Sequence, residues 1–333
     1  MRERRGSIGA VRKLLVALLV LGAIVVVGQL SGNEPDLDAV AAVESELGID
    51  LETSRVDVGE VSLFVVQAGP KDGPPIVLLH GFPEFWYAWA RQVDALSAAG
   101  FRAIAPDQRG YGHSDKPGPV EAYDFEKLAG DIAGLVSALG YESACVAAHD
   151  WGGGIAWQLA IHHPERVRKL VIFDTSHPDA SRVAGPSQEK TVSWYRTAFQ
   201  IPYLPEWLSR LGHWRLVTGM MRDSAAPGAF PDAKLALYRS AWDREGAYGK
   251  MVNWYRAAFR RGYPEGPLRR IAVPTLVVAA AHDAFIPGDL TRRSVELLDQ
   301  GQLLELDYGT HWVLQEEPAK TAQIVADFCG PPR

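Results

Sequence analysis

Cysteine is almost missing: only Cys145 and Cys329 occur in 333 residues. Two are too few for a disulfide-built secreted module, and two thiols cannot make a zinc site unaided. Neither is expected to do chemistry, Cys145 lying in a core strand and Cys329 at the tail. Excess basic charge is also missing. The 34 Lys and Arg face 40 Asp and Glu, for a net charge of −6. Nucleic-acid binding calls for clustered positive charge, so that class of partner is excluded. No internal repeat appears, no glycine-rich phosphate loop sits at a suitable place, and no metal, nucleotide or flavin cofactor is implied. At 47% hydrophobic the chain is not disordered and can bury a full core.

One long apolar run is present. Residues 14–30 read LLVALLVLGAIVVVGQL without a charge, short for a membrane-spanning helix and long for a signal-peptide core. Arg2, Arg4, Arg5, Arg12 and Lys13 precede it, against Glu3 alone. This tip carries +4, so the −6 of the whole leaves −10 on the rest. No clear cleavage site follows, and the run has no polar stripe that would make it a core helix. The expectation is a single-pass membrane anchor over residues 1–35, with the remainder outside the cytoplasm. The alternative is a cleaved signal and a secreted protein. Residues 36–54 read as an acidic linker holding one short helix.

Further on, short β-branched runs alternate with amphipathic or Ala-rich stretches. Strands are predicted at 55–58, 61–67, 76–79, 102–105, 143–148, 169–173, 275–279 and 303–306. Helices are predicted at 86–99, 125–139, 153–163, 290–298 and 318–328. Such alternation implies a mostly parallel sheet with helices on both faces. The rhythm breaks over residues 179–266, which contain no convincing strand and five of the ten tryptophans. This interval reads as a helical insertion between core segments 55–178 and 267–333.

The chemistry concentrates at strand ends. Ala148-His149-Asp150-Trp151-Gly152 joins a strand to a helix, with small residues two places either side of Asp150. That pattern is a nucleophile elbow, a turn too sharp for larger neighbours. An Asp there is already ionised at neutral pH. Its attack on a saturated carbon gives an alkyl ester that water can then cleave at the carboxyl carbon. The cleavage needs a base and a group orienting that base. His311, after the last strand, fits the base. Asp283, after strand 275–279, fits the acid, while Asp174 after the preceding strand reads as a loop-capping carboxylate. The order nucleophile, acid, base is Asp150, Asp283, His311. Two backbone N–H groups must meet the oxyanion, and Trp151 and Phe82 are placed to provide them.

These residues carry a resemblance. His80-Gly81-Phe82-Pro83-Glu84, Asp107-Gln108-Arg109-Gly110-Tyr111-Gly112, His149-Asp150-Trp151-Gly152-Gly153 and Gly309-Thr310-His311-Trp312 resemble the α/β-hydrolase-fold epoxide hydrolases over roughly residues 55–328. The resemblance implies an eight-stranded, mostly parallel sheet with a helical cap. It also implies two cap tyrosines that hydrogen-bond the epoxide oxygen and protonate it. A phenol of pKa about 10 suits that task. Ser193-Trp194-Tyr195-Arg196 and Asn253-Trp254-Tyr255-Arg256 match the tyrosine segments, giving Tyr195 and Tyr255. Trp151, Phe199 and Trp254 are expected at the substrate.

The implied partners are a small apolar epoxide and water, with the membrane as a further partner through the N-terminal helix. The oligomeric state is open. A haloalkane dehalogenase using the same aspartate is the alternative, with Trp151 as a halide donor, but it leaves the tyrosine pair unexplained. A non-catalytic ligand-binding member of the fold is a third reading. One departure stands out: Asp174-Thr175-Ser176-His177-Pro178 lacks the Asn and extra Pro that the family commonly has there.

Overall fold

The computed structural model describes residues 38–185, 187, 191–262 and 266–330. Eight strands form one sheet: β1 Glu52–Asp57, β2 Ser62–Ala68, β3 Pro75–Leu79, β4 Arg102–Pro106, β5 Ala144–His149, β6 Val167–Phe173, β7 Thr275–Ala279 and β8 Gly301–Glu305. Their order is β1-β2-β4-β3-β5-β6-β7-β8, with β2 antiparallel to both of its neighbours and every other pair parallel. β4, β5 and β7 are buried at every position. Apart from Arg102, His149 and Thr275 at their ends they are apolar throughout, as strands covered on both faces tend to be. β1 and β8 are edge strands and keep exposed positions.

The core helices are α1 Ala39–Leu47, α2 Ala90–Ala98, α3 Phe125–Ala138 and α4 Trp151–His162, with α10 Gly288–Arg293, α11 Val313–Glu316 and α12 Pro318–Cys329 after β7. α1 lies in the acidic linker. Asp38 accepts from the N–H groups of Val40 and Ala41 to start it, and Gly48, at φ 68°, ends it. The helix predicted from residue 86 begins as a 3-10 turn, Trp86–Trp89. Asp107 Oδ1 accepts the Trp86 N–H at 3.0 Å and fixes this entry. α2 packs on α12, and α3 on α4.

Between β6 and β7 the described residues form only helices: α5 Ala180–Ala184, α6 Trp194–Ala198, α7 Leu204–Asp223, α8 Asp232–Asp243 and α9 Ala247–Arg261. α7 is broken in its middle, where Gly212, His213 and Trp214 have φ near +60°. The break turns the Trp214 ring inward, 5.4 Å from Trp242 and 4.8 Å from Tyr248. At the neck of this cap, Asp179, six residues beyond β6 and just before α5, is fully buried. It takes Arg269 on the returning chain at 2.9 Å, and Arg182 at 3.0 Å.

Two expectations are corrected. Cys145 and Cys329 are joined as a disulfide that ties β5 to the last residue of α12, 184 residues apart in sequence. They are not independent thiols, because packing of α12 beneath the sheet brings the two side chains together. The single-pass membrane assignment is corrected as well, and with it the membrane partner and the orientation that rested on the anchor. Among the described residues no helix is long and apolar enough to cross a membrane. The longest, α7, carries Glu206, Arg210, Arg215, Arg222 and Asp223, charges that a bilayer interior would not accept. The 14–30 run lies outside the described residues.

Candidate active site

The strand order reverses at β3, which has β4 on one side and β5 on the other. In an open parallel sheet the carboxyl ends at such a point form the ligand crevice. Asp150 follows β5 directly, with φ 50° and ψ −123°, a conformation rare for a residue with a Cβ. The neighbours explain why only small residues fit here. A Cβ on Gly152 would lie 2.4 Å from the Leu79 carbonyl oxygen and 2.6 Å from that of His80. Thr175 Oγ1 donates to the Asp150 carbonyl at 2.8 Å and steadies the turn.

The side chains assemble around Asp150. The Phe82 N–H donates to Asp150 Oδ1 at 2.8 Å. Trp151 opens α4, so its N–H belongs to the first turn, whose donors have no intrahelical acceptor. His311 Nε2 stands 3.5 Å from Asp150 Oδ2, and its Nδ1 is 2.7 Å from Asp283 Oδ2. Asp283 is anchored in turn, since its Oδ1 accepts from the N–H groups of Phe285 and Ile286 at 2.7 and 2.9 Å. Asp174 is also buried here, with φ 48°, and its Oδ1 accepts the Ala280 N–H at 2.7 Å. It caps the loop after β7 and makes no hydrogen bond to His311.

Asp150 and Asp174 are shifted in opposite directions. Burial alone would raise Asp150, but the hydrogen bond and charge of His311, with His149 and the Phe82 N–H, hold it down at about 2. Asp174 is pushed up to about 7, by burial first and then by the charge of Asp283. Burial opposes a proton on His311, yet Asp283 and Asp150 together raise it well above the ordinary imidazole value. In the resting site the proton on His311 is therefore favoured beside Asp150, while Asp174 exchanges its own proton around neutral pH.

The cap closes over this group. Tyr195 on α6 and Tyr255 on α9 are both buried, with ring centres 5.8 Å apart. Burial, then Tyr195 and the Asp150 charge, raise the Tyr255 phenol well above 10, so it keeps its proton. Two cavities meet at Asp150, Tyr195 and Tyr255. The smaller, about 70 Å³, is walled by Phe199, Val217, Met221, Phe285 and Trp312. The larger, about 490 Å³, runs past Trp151, Thr175, Arg196 and Phe259. Phe199 and Trp151 thus face the space where substrate would lie. Trp254 lines neither cavity. Its indole N–H donates to the Arg109 carbonyl at 3.0 Å, and its ring packs behind Trp151 at 6.2 Å.

Other contributors were less legible. His149, beside the nucleophile, is buried, and its Nε2 donates to the His311 carbonyl at 2.8 Å. Glu84 lies 3.7 Å from His149 Nδ1 and accepts from Tyr238 at 2.8 Å and Gln315 at 3.0 Å. Both sit inside motifs quoted above, but nothing in their spacing shows that they face one another. Thr175 and Arg196 had no signal beyond adjacency to Asp174 and Tyr195. Loop entry into the cap is held by the His177 N–H, which donates to Ser294 Oγ at 2.7 Å.

Residues 74–318 match the family model of the α/β hydrolase fold. The chain is 37% identical to the AB hydrolase superfamily protein YfhM of Bacillus subtilis, over 82% of this chain and 96% of that one. It is 32% identical to Epoxide hydrolase 1 of Caenorhabditis elegans, over 83% of this chain and 70% of the relative. Among solved structures, Epoxide Hydrolase A from Mycobacterium thermoresistibile superposes with a TM-score of 0.71 at 27% identity, over 85% of this chain and 99% of that one.

Proposed function

The chain belongs to the epoxide hydrolases of the α/β-hydrolase fold family, and we propose that Asp150 is the nucleophile of a two-step reaction. The overall conversion is an epoxide and water to a vicinal diol. In the first step Asp150 attacks one ring carbon, forming an alkyl ester as the carbon–oxygen bond breaks. The departing oxygen takes a proton from the tyrosine pair. The apolar walls of the smaller cavity suit an apolar substituent on the epoxide.

Esterification then arms the base. Once Asp150 is an ester its charge is gone, and His311 loses one of the two carboxylates that hold its proton. The proton passes to the tyrosinate, leaving neutral His311, oriented by Asp283, to take a proton from water. Water adds to the carboxyl carbon, and the Phe82 and Trp151 N–H groups receive the oxyanion. As the adduct collapses, His311 gives its proton to the leaving alkoxide oxygen, which departs as the diol, and the proton on the regenerated Asp150 carboxyl passes back to His311, restoring the carboxylate and the imidazolium. The observation that carries this reading is the line from Asp150 through His311 to Asp283, at 3.5 and 2.7 Å.

The test is repeated turnover of an aryl epoxide in water enriched in heavy oxygen, followed by mass analysis of the peptide containing Asp150. The expected result is heavy oxygen in the Asp150 carboxylate. Diol formation with an unlabelled Asp150 would overturn the covalent route.

A further inference from the structure

Arg196 faces the reacting group, and nothing in the scheme above uses it. Its side chain lines the larger cavity together with Asp150, Tyr195 and Tyr255. It is the only Arg or Lys among the described residues that line either of the two cavities meeting at Asp150. Several other cap guanidinium groups are matched to carboxylates: Arg210 to Asp243, Arg222 to Asp232, Arg256 to Glu206 and Arg261 to Asp124. Arg196 has a different set of partners. One of its amino groups donates to the Phe285 carbonyl at 3.3 Å. Burial works against the charge on its guanidinium, but the neighbouring Tyr195, Tyr255 and Asp150 favour it and raise its pKa.

The anchor point adds meaning to this placement. Phe285 belongs to the turn whose N–H groups hold Asp283. The Val192 N–H donates to the adjacent Ala284 carbonyl at 2.7 Å. Residues 192 to 196 are thereby stitched to the loop of the triad acid by two hydrogen bonds, and the cap tyrosine is held in register with the core.

We propose that Arg196 is a positioning residue for ring opening, holding the oxygen of Tyr195 so that its proton points at the epoxide and stabilising the tyrosinate left behind. This rests on the epoxide hydrolase reading above. The bookkeeping of atoms is simple. The phenol oxygen accepts from the guanidinium and keeps its own O–H free to donate. When the carbon–oxygen bond breaks, the electron pair stays on the epoxide oxygen, which takes the Tyr195 proton. The phenolate is then paired with Arg196 until the His311 proton restores it. Arg196 has no part in the second step, where the charge develops at the Asp150 carboxyl carbon.

The experiment compares the parent enzyme with Arg196→Ala and Arg196→Lys in single turnover, resolving ester formation from ester hydrolysis. One charge-assisted hydrogen bond corresponds to a loss of about tenfold to hundredfold in the rate of ester formation for Arg196→Ala. Ester hydrolysis should keep the parent rate. Arg196→Lys should recover part of the loss, and added guanidinium at non-denaturing concentration should recover part of it in Arg196→Ala. Ester formation at the parent rate in Arg196→Ala would overturn the proposal. So would an equal fall in both steps that neither Lys nor guanidinium relieves. If the parent enzyme itself converts no epoxide to diol, the functional reading fails rather than the role of Arg196.

Discussion

Replacing Gly152 by Ala adds one methyl group at the tightest point of the elbow. The methyl carbon would lie 2.4 Å from the Leu79 carbonyl oxygen, 2.6 Å from that of His80 and 2.7 Å from the Leu79 carbonyl carbon. Ordinary van der Waals contact begins at 3.4 Å, so backbone must move by about 1 Å. Two effects compete. Ala is the better helix former by about 1 kcal/mol, and Gly152 lies in the first turn of α4. Overpacking costs about 1–3 kcal/mol, and rigid backbone gives way less than a side chain does. The clash wins, and the melting midpoint should fall. The displaced atoms also lead into Phe82, whose N–H sits 2.8 Å from Asp150 Oδ1. A shift of about 1 Å in a catalytic group costs about a hundredfold in rate. Ester hydrolysis, which needs that N–H for its oxyanion, should slow by about this factor, and ester formation should slow less. Stopped-flow tryptophan fluorescence resolves the two steps, and a thermal melt reports stability. A variant with the parent melting midpoint and the parent rate of ester hydrolysis would refute the reasoning.

Two further outcomes concern stability. Asp174 is held at about 7 in the folded chain, against about 4 when unfolded, so folding takes up a proton between those values. Its stabilising state is complete below about pH 4 and is lost as pH rises to about 7. Asp174→Asn has no proton to lose and keeps an oxygen for the Ala280 N–H. Urea midpoints measured across that window should fall less steeply than in the parent, and an unchanged slope would count against a buried neutral acid. Separately, reducing the Cys145–Cys329 disulfide opens a loop of 184 residues. Stability should drop by about 2–4 kcal/mol, read as a lower urea midpoint in reductant, and equal midpoints with and without reductant would exclude the tie.

Much of the fold was legible because its signals are local. Strands covered on both faces become apolar runs such as 144–149, and the residues between them repeat with helical spacing. The proposed order Asp150, Asp283, His311 could be read because each residue follows a strand end, and strand ends share one edge of a parallel sheet. What was hidden depends on distant segments meeting. Cys145 and Cys329 give no sign of pairing until α12 is laid beneath β5 and β6. Trp254 has the composition of a substrate contact, but the direction its indole takes depends on the Arg109 carbonyl, 145 residues away. The 3-10 entry at Trp86 depends on Asp107, which no helical periodicity can register. The apolar run at 14–30 lies outside the described residues, among which no helix is long and apolar enough to cross a membrane.

Asp179, buried between Arg269 and Arg182, has a consequence for how this molecule can vary. By joining the chain where it leaves the core to the chain where it returns, it gives the cap a waist. Viewed from the sheet, everything beyond that waist is a single closed excursion between two neighbouring strands. The entropic cost of such an excursion grows only with the logarithm of its length. Lengthening or reshaping the cap therefore imposes little on the core, whose register is already fixed by β6 against β7. The lid can be refashioned for another epoxide while Asp150, Asp283 and His311 stay where they are.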